Sequence, residues 1–419
     1  MSATIAVVGS GPAGLYCAER LARDISDACV DVIERWPTPF GLVRGGVAPD
    51  HQVTKAITRV LDRPLGQGRI GFVGNVAVGL DVSLGELAGL YDAVVLATGA
   101  GADRGLGVAG EDLPGVVGSG DMVAWLNGRP DAGDLAALVG RARSVVIVGN
   151  GNVALDMARL LAKAPAEFAG SDLDPGVGAV LASAPLRTIT ILGRRSAAQT
   201  AFSPIELAEL GQLAHALPMV DPMDLPLEGE ADDPVLRVLR DFAGASSGDA
   251  AVRIQFLFGR RVLAFRGHER LEAVEVAGPD GAADILAADL VVTCIGYHAE
   301  APGLVLADGH LANSDGLIAP GLYVTGWARR GPSGTIATNR ADAHEVARRI
   351  AAELVPAGRA GGVGLAALLR DRGIDVVDWA RWKAIDAAEL ATATPGRVRT
   401  KFRSAADMLA VPLAAAPTE

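Results

Sequence analysis

Aromatic side chains make up only 4% of the 419 residues, and cysteine occurs three times, at Cys17, Cys29 and Cys294. Cysteines so scattered form no Cys-x-x-Cys redox pair, no iron–sulfur cradle and no four-cysteine zinc site. Any redox chemistry must therefore come from a bound organic group. Lysine is almost as scarce, with 4 residues against 34 arginines, and the formal net charge is −11. That acidic excess argues against nonspecific binding to nucleic acid or to an anionic membrane. No apolar run approaches the roughly 18 residues that span a bilayer. The chain enters a strand-like run at Thr4 with no basic leader before it, so a cytoplasmic location is expected. Half the residues are apolar and 21% are charged, which is the composition of a packed protein. At about 150 residues per domain, the length allows two or three domains, and the 52 glycines suit a turn-rich α/β fold.

Two glycine fingerprints organise the chain. Thr4-Ile5-Ala6-Val7-Val8 reads as a buried parallel strand. It runs into Gly9-Ser10-Gly11-Pro12-Ala13-Gly14, then an amphipathic helix over Leu15 to Arg23, then a strand from Cys29 ending at Glu34. In such a βαβ unit Gly9 makes the tight turn, Gly11 admits a pyrophosphate against the backbone, and Gly14 lets helix and strand pack closely. The helix start favours phosphate charge. Glu34 is placed to accept hydrogen bonds from an adenosine ribose with a free 2′-hydroxyl, which selects FAD or NAD over NADP.

The second fingerprint follows the strand Ser144–Val148 as Gly149-Asn150-Gly151-Asn152-Val153-Ala154, with a helix to about Ala162. The next strand, Arg187 to Leu192, ends in Gly193-Arg194-Arg195. Where the first unit ends in an acid, this one ends in two guanidinium groups, which suit the 2′-phosphate of NADP through charge-assisted, forked hydrogen bonds. Arg-Arg occurs at four places in the chain, so the position of this pair carries the inference. Two different nucleotide sites point to electron traffic between FAD and NADPH.

Small-residue turns after Tyr91–Leu96, Asp289–Thr293 and Gly321–Val324 mark further strands leaving the fold beside a nucleotide. The expected organisation is an α/β protein with two Rossmann-like domains. The FAD-binding domain comprises 1–105 and 320–419, with the NADP-binding domain, 106–319, inserted into it. Gly/Pro/Asp-rich stretches at 99–115 and 299–320 serve as the double crossing, and 163–186 and 225–251 read as surface insertions.

With these motifs in place, the chain resembles the adrenodoxin-reductase-like family of ferredoxin–NADP reductases over essentially its whole length. The resemblance rests on Gly41-Leu42-Val43-Arg44, Val47-Ala48-Pro49-Asp50-His51, Gly149 to Asp156, Gly193-Arg194-Arg195 with Phe202 and Glu206, and Gly326-Trp327 through Thr338. The family usually carries an aromatic residue at Gly45 and proline at Gln52, departures expected to loosen packing around the flavin. It also has Thr-Asp in place of Asn339-Arg340. The resemblance implies FAD contacts at Ala13, Glu34, Leu42, Val78, Trp327, Gly334, Thr335 and Ile336. It implies NADP contacts at Asn150, Gly151, Asn152, Val153, Arg194, Arg195, Glu206 and Gly334.

His51 and Asp156 match a family pair suggested as a proton or docking relay. Against that stand a polar residue in a helix turn capped by Asp50, and a helix acid anchoring its neighbours. Glu206 is expected near the nicotinamide side or the ribose. The implied activity is NADPH-dependent reduction of an iron–sulfur ferredoxin, and Arg237, Arg240, Arg260 and Arg261 are candidate docking cations. A diaphorase or quinone reductase without a dedicated ferredoxin, and a non-catalytic nucleotide sensor, remain open. A disulfide reductase lacks its cysteine pair, and a glutamate-synthase-like input subunit would need a cysteine-rich domain ahead of Gly9.

Overall fold

A computed structural model describes residues 2–227, 233–244, 250–301 and 303–413. The chain forms two compact units: Met1–Ala102 with Asn127–Asp131 and Tyr297–Glu419, and Asp103–Leu126 with Ala132–Gly296. The second is thus inserted into the first. The crossings fall at 102/103 and 296/297, so the chain re-enters the first unit well before residue 320, and the short excursion 127–131 also belongs to the first unit.

The first unit is built on a six-stranded sheet in the order Leu317–Ala319, Leu322–Val324, Ala93–Leu96, Thr4–Val8, Cys29–Glu34, Ile70–Gly74. All neighbours are parallel except the edge strand Leu317–Ala319. Thr4–Val8 is buried throughout, because helices cover both faces. Ile5 and Val7 join Leu15, Leu21, Val346 and Ile350 in one core. Ala6 and Val8 face the opposite way, into a second core with Leu87, Leu365 and Leu369. Each such buried Val, Leu or Ile contributes about 1.5–3 kcal/mol of burial energy.

The second unit repeats the plan with an all-parallel sheet ordered Val116–Gly118, Leu290–Thr293, Ser144–Val148, Thr188–Leu192, Val252–Leu257, Ala216–Val220. A separate antiparallel sheet of Arg261–Gly267, Leu271–Ala277 and Ala283–Ala287 accompanies it. Thr4–Val8 in the first unit and Ser144–Val148 in the second each lie between strands reached in opposite directions along the sheet, and a glycine turn follows the carboxyl end of each. That is where open α/β sheets place ligands.

The segment 163–186 is more than a surface insertion: Phe168, Leu173 and Val177 are fully buried in it. Within 225–251, residues 228–232 and 245–249 lie outside the described residues, while Pro234–Ala243 forms the expected helix. Among the described residues, no helix is long and apolar enough to cross a membrane, and no cluster of metal-ligating side chains occurs.

Candidate cofactor-binding sites

The first glycine turn is shaped by three different constraints. Gly9 adopts φ +106°, where a Cβ would lie 2.5 Å from the Ala97 carbonyl oxygen. A Cβ on Gly14 would lie 1.9 Å from the Gly9 carbonyl oxygen, so this glycine sets how closely helix and turn approach. A Cβ on Gly11 would meet nothing within 4 Å. The helix Pro12–Asp24 starts there, three residues earlier than its hydrophobic pattern suggests, because proline is tolerated in the first turn. Its N-cap, Gly11, supplies no side-chain cap, which leaves the first amides to a ligand. The turn is a cradle with open space on one side, and it fits a dinucleotide pyrophosphate.

Glu34 closes that cradle. Its carboxylate is buried; Oε2 accepts from Ser10 N at 2.9 Å and Ser10 Oγ at 2.6 Å, and Oε1 accepts from Trp36 N at 3.2 Å. An ionised carboxylate has about four acceptor sites, so the acid that holds the turn retains capacity for ribose hydroxyls. The segment bearing Leu42 packs directly on this turn. Phe40 N donates to Ser10 O at 3.1 Å, and a Cβ on Gly41 would come within 2.9 Å of Gly11 Cα. Leu42 remains 39% exposed although it is aliphatic.

The glycine at position 45 does not leave a void. A Cβ there would meet Arg129 Cδ at 3.2 Å, so the methylenes of Arg129 take the space where the family has an aromatic ring. Arg129 is itself held by a forked pair to Asp131, at 2.6 and 2.9 Å. Gln52 Nε2 donates to Pro49 O at 2.8 Å, which fixes the turn that proline would fix. The expected loosening is therefore offset at both positions. His51, not Asp50, holds the N-cap position of the short turn Gln52–Lys55 and is half-buried.

The Gly326–Thr338 stretch is organised by Asp342, which the sequence reading missed. This buried acid accepts from Thr325 Oγ1 at 2.7 Å, Gly326 N at 2.5 Å and Arg329 Nη1 at 2.9 Å. It pins Gly326 so close to the first helix that a Cβ would lie 2.5 Å from Ala13 Cβ. The available signal was an acid on the apolar face of a helix, where a buried charge requires partners. Half-buried Trp327 donates from Nε1 to Ser333 O at 3.1 Å. Gly334 has φ +81°, and a Cβ there would strike the Thr338 side chain at 2.8 Å, so its own helix already demands glycine. Thr335 is the N-cap of Ile336–Glu353, with Thr335 N donating to Thr338 Oγ1 at 3.2 Å. Val78 is half-buried behind the sheet.

In the second unit, Gly149 has φ +146°, and a Cβ would lie 2.2 Å from the Cys294 carbonyl oxygen. Gly151 is the uncapped N-cap of the helix Asn152–Ala162, and a Cβ on it would meet nothing within 4 Å. Asn150 Nδ2 and Oδ1 are buried without a partner among the described residues, over Gly193 at the end of the neighbouring strand. Arg194 and Arg195 are exposed, and neither guanidinium takes up an ion pair or hydrogen bond among the described residues. Orphaned amide atoms, a bare helix start and two unengaged cations together fit a phosphorylated dinucleotide.

Ser203 N donates to Asn152 Oδ1 at 2.7 Å, which holds the helix Pro204–Glu209, and with it Glu206, beside the glycine turn. Asp156 pairs with the buried Arg159 at 2.7 Å, and Arg159 Nε also reaches Glu209 at 3.2 Å, so Asp156 anchors its own helix. The relay pair is thus divided between the units, His51 in the first and Asp156 in the second. All three cysteines are free. Burial pushes the Cys17 thiol up to about 12, and burial together with the charge of Asp103 raises Cys294, so neither is a thiolate near neutrality.

Residues 3–321 match the pyridine nucleotide-disulphide oxidoreductase family. The NADPH-ferredoxin reductase FprA of Mycobacterium tuberculosis is 36% identical over 455 aligned residues, covering 98% of this chain and 99% of that protein. Cindoxin reductase of Citrobacter braakii is 37% identical, covering 97% of this chain and 90% of that protein. The structure of M. tuberculosis FprA in complex with NADPH superposes with a TM-score of 0.92 at 34% identity, covering 98% of this chain and 99% of that one. The chain belongs to the pyridine nucleotide-disulphide oxidoreductase family: it is a two-domain flavoprotein oxidoreductase with FAD and NADP(H) as cofactors. Within that class, its full-length likeness is to the NADPH-ferredoxin reductases.

Proposed function

We propose that the chain is an NADPH-dependent ferredoxin reductase. The carrying observation is the contrast between the two strand ends, a buried acid at Glu34 and two unengaged cations at Arg194 and Arg195. Held by the first glycine turn and Glu34, FAD would supply two-electron acceptance from NADPH and one-electron release, the chemistry that joins a two-electron donor to a one-electron carrier. The protein's own part is binding and orientation. Gly9, Gly11, Ala13 and Gly14 seat the FAD pyrophosphate, Glu34 the ribose, and Leu42, Val78 and Trp327 its remaining surface. Gly334, Thr335 and Ile336 bring a helix start, which stabilises negative charge.

Asn150, Gly151, Asn152 and Val153 seat the NADP pyrophosphate, Arg194 and Arg195 the 2′-phosphate, and Glu206 the ribose or nicotinamide side. His51 serves as the proton or docking residue, and Asp156, locked to Arg159, is a positioning residue. For the acceptor, Arg237, Arg240, Arg260 and Arg261 are the candidate docking cations, with Arg237 and Arg261 the more exposed. Arg240 Nη2 is directed at the carbonyls of Pro226 and Leu227, at 3.4 and 3.5 Å, and Arg260 Nη1 donates to Phe258 O at 3.3 Å. A cytoplasmic site of action completes this reading.

The test is NADPH-driven reduction of cytochrome c with and without each member of a ferredoxin panel. Ferredoxin-dependent stimulation is expected; equal rates in every case refute the reading in favour of a diaphorase or quinone reductase. Failure of NADPH to bleach the flavin band in stopped flow identifies a non-catalytic sensor instead.

A further inference from the structure

Building on the ferredoxin-reductase reading, we propose that the turns Gln52–Lys55 and Thr58–Leu61 of the first unit form a docking surface for an acidic iron–sulfur protein. The linking residues Ala56 and Ile57 keep right-handed helical angles, so the two turns run on as one short helical stretch. Lys55 and Leu61 point inward and are buried. The opposite side, at three- and four-residue spacing, presents Val53, Ala56, Arg59, Val60 and Arg63 to solvent. Val53 is 92% exposed and Val60 44%.

Several surface arginines elsewhere in the unit are paired, as Arg20 with Asp24, Arg23 with Glu19 and Arg372 with Glu86, while Arg370 is exposed without an ion pair among the described residues. Arg59 and Arg63 engage no side chain or carbonyl among the described residues. The only acid between residues 52 and 63 is Asp62, which lies 3.5 Å from Lys383 Nζ. In a chain of net charge −11, this is an apolar strip edged by uncompensated positive charge. A second copy of the chain would bring the same arginines against one another. An acidic partner complements them, and a small apolar centre with a charged rim is what a transient interface requires.

The surface is also fixed and close to the flavin segment. Lys55 Nζ donates to Asn127 Oδ1 at 2.9 Å and to the Arg44 carbonyl at 3.4 Å. The stretch is thereby bonded to the Gly41–Arg44 segment, whose Leu42 is left partly exposed. An electron carrier seated there approaches the segment that packs on the FAD cradle.

The experiment uses the full-length holoenzyme and whichever of a [2Fe–2S] and a [4Fe–4S] ferredoxin the unmodified enzyme reduces faster. Two variants are compared, Arg59→Glu with Arg63→Glu, and Val53→Ser with Val60→Ser, each checked for FAD content and melting temperature. KM for ferredoxin is expected to rise at least fivefold at low salt in the charge variant, with the gap narrowing in about 0.15 M salt. KM for NADPH and the rate of ferricyanide reduction should stay within twofold. Normal ferredoxin kinetics in both variants overturns this surface alone. No ferredoxin reduction by the unmodified enzyme overturns the ferredoxin reading and this surface together.

Discussion

Substituting alanine at two glycines of the first turn separates binding from folding. Gly11 has φ −67° and ψ 176°, an extended conformation that alanine adopts freely, and a Cβ there meets nothing within 4 Å. In the empty protein Gly11→Ala should be neutral or stabilising by about 0.4–1 kcal/mol, through the less flexible unfolded chain. With FAD the methyl occupies the space assigned to the pyrophosphate. Displacing the phosphates from two backbone amides, at about 1.5–3 kcal/mol per charge-assisted bond, weakens FAD binding by more than a hundredfold. Gly14→Ala behaves differently, because its Cβ would lie 1.9 Å from the Gly9 carbonyl oxygen and 3.2 Å from Ala97 Cβ. Helix and strand must then separate, at a cost of about 1–3 kcal/mol or more. The assays are thermal melting of the apoprotein and fluorescence titration with FAD. Gly11→Ala is expected to melt at or above the wild-type temperature while losing FAD, and Gly14→Ala to melt lower even without cofactor. A Gly11→Ala protein that binds FAD with unchanged Kd refutes the assignment of that space.

Removing both cations in Arg194→Ala with Arg195→Ala should lower the kcat/KM ratio for NADPH over NADH by about a hundredfold, from roughly 3 kcal/mol of lost phosphate contacts. NADH kinetics should be nearly unchanged, and an unaltered ratio dismisses the 2′-phosphate role. Asp342→Asn leaves the donors at Thr325, Gly326 and Arg329 facing a neutral amide. Breaking so buried a pair should cost about 3 kcal/mol in denaturant unfolding, and a change below about 1 kcal/mol would show that Asp342 is not the hub. Burial holds the Asp31 carboxyl above its ordinary range, opposed by the hydrogen bond from Tyr91 Oη at 2.9 Å. The folded state therefore binds the proton more tightly than the unfolded chain. This residue's contribution is fully present below the ordinary carboxylate pKa and declines as pH rises through the folded value. Asp31→Asn should accordingly gain melting temperature relative to wild type between pH 4 and pH 7; an equal difference at both pH values contradicts that sign.

Features that depend on a few consecutive residues could be read from the sequence. The strands Thr4–Val8 and Ser144–Val148 lie where their apolar runs placed them, because a strand covered on both faces needs a continuous apolar stretch. The glycine turns were equally visible, since Gly9 and Gly149 take angles that side-chain-bearing residues rarely adopt. What escaped depends on residues distant in the chain. Lys55 and Lys401, half of the lysines, both lie buried against Asn127, yet nothing local distinguishes them from surface cations.

Position 45 shows why departures from a family pattern cannot be judged one residue at a time. A missing ring at Gly45 reads as a cavity if only the segment 41–52 is considered. The space is taken by the methylenes of Arg129, in the excursion 127–131 that returns from the second unit to the first. Packing conserves filled volume rather than the residue that fills it, so the loss of one side chain and the placement of the other form a single change. Arg129→Ala is the substitution that should reopen the cavity here, and it should loosen FAD retention more than any change at Gln52, whose amide merely replaces a proline in holding Pro49.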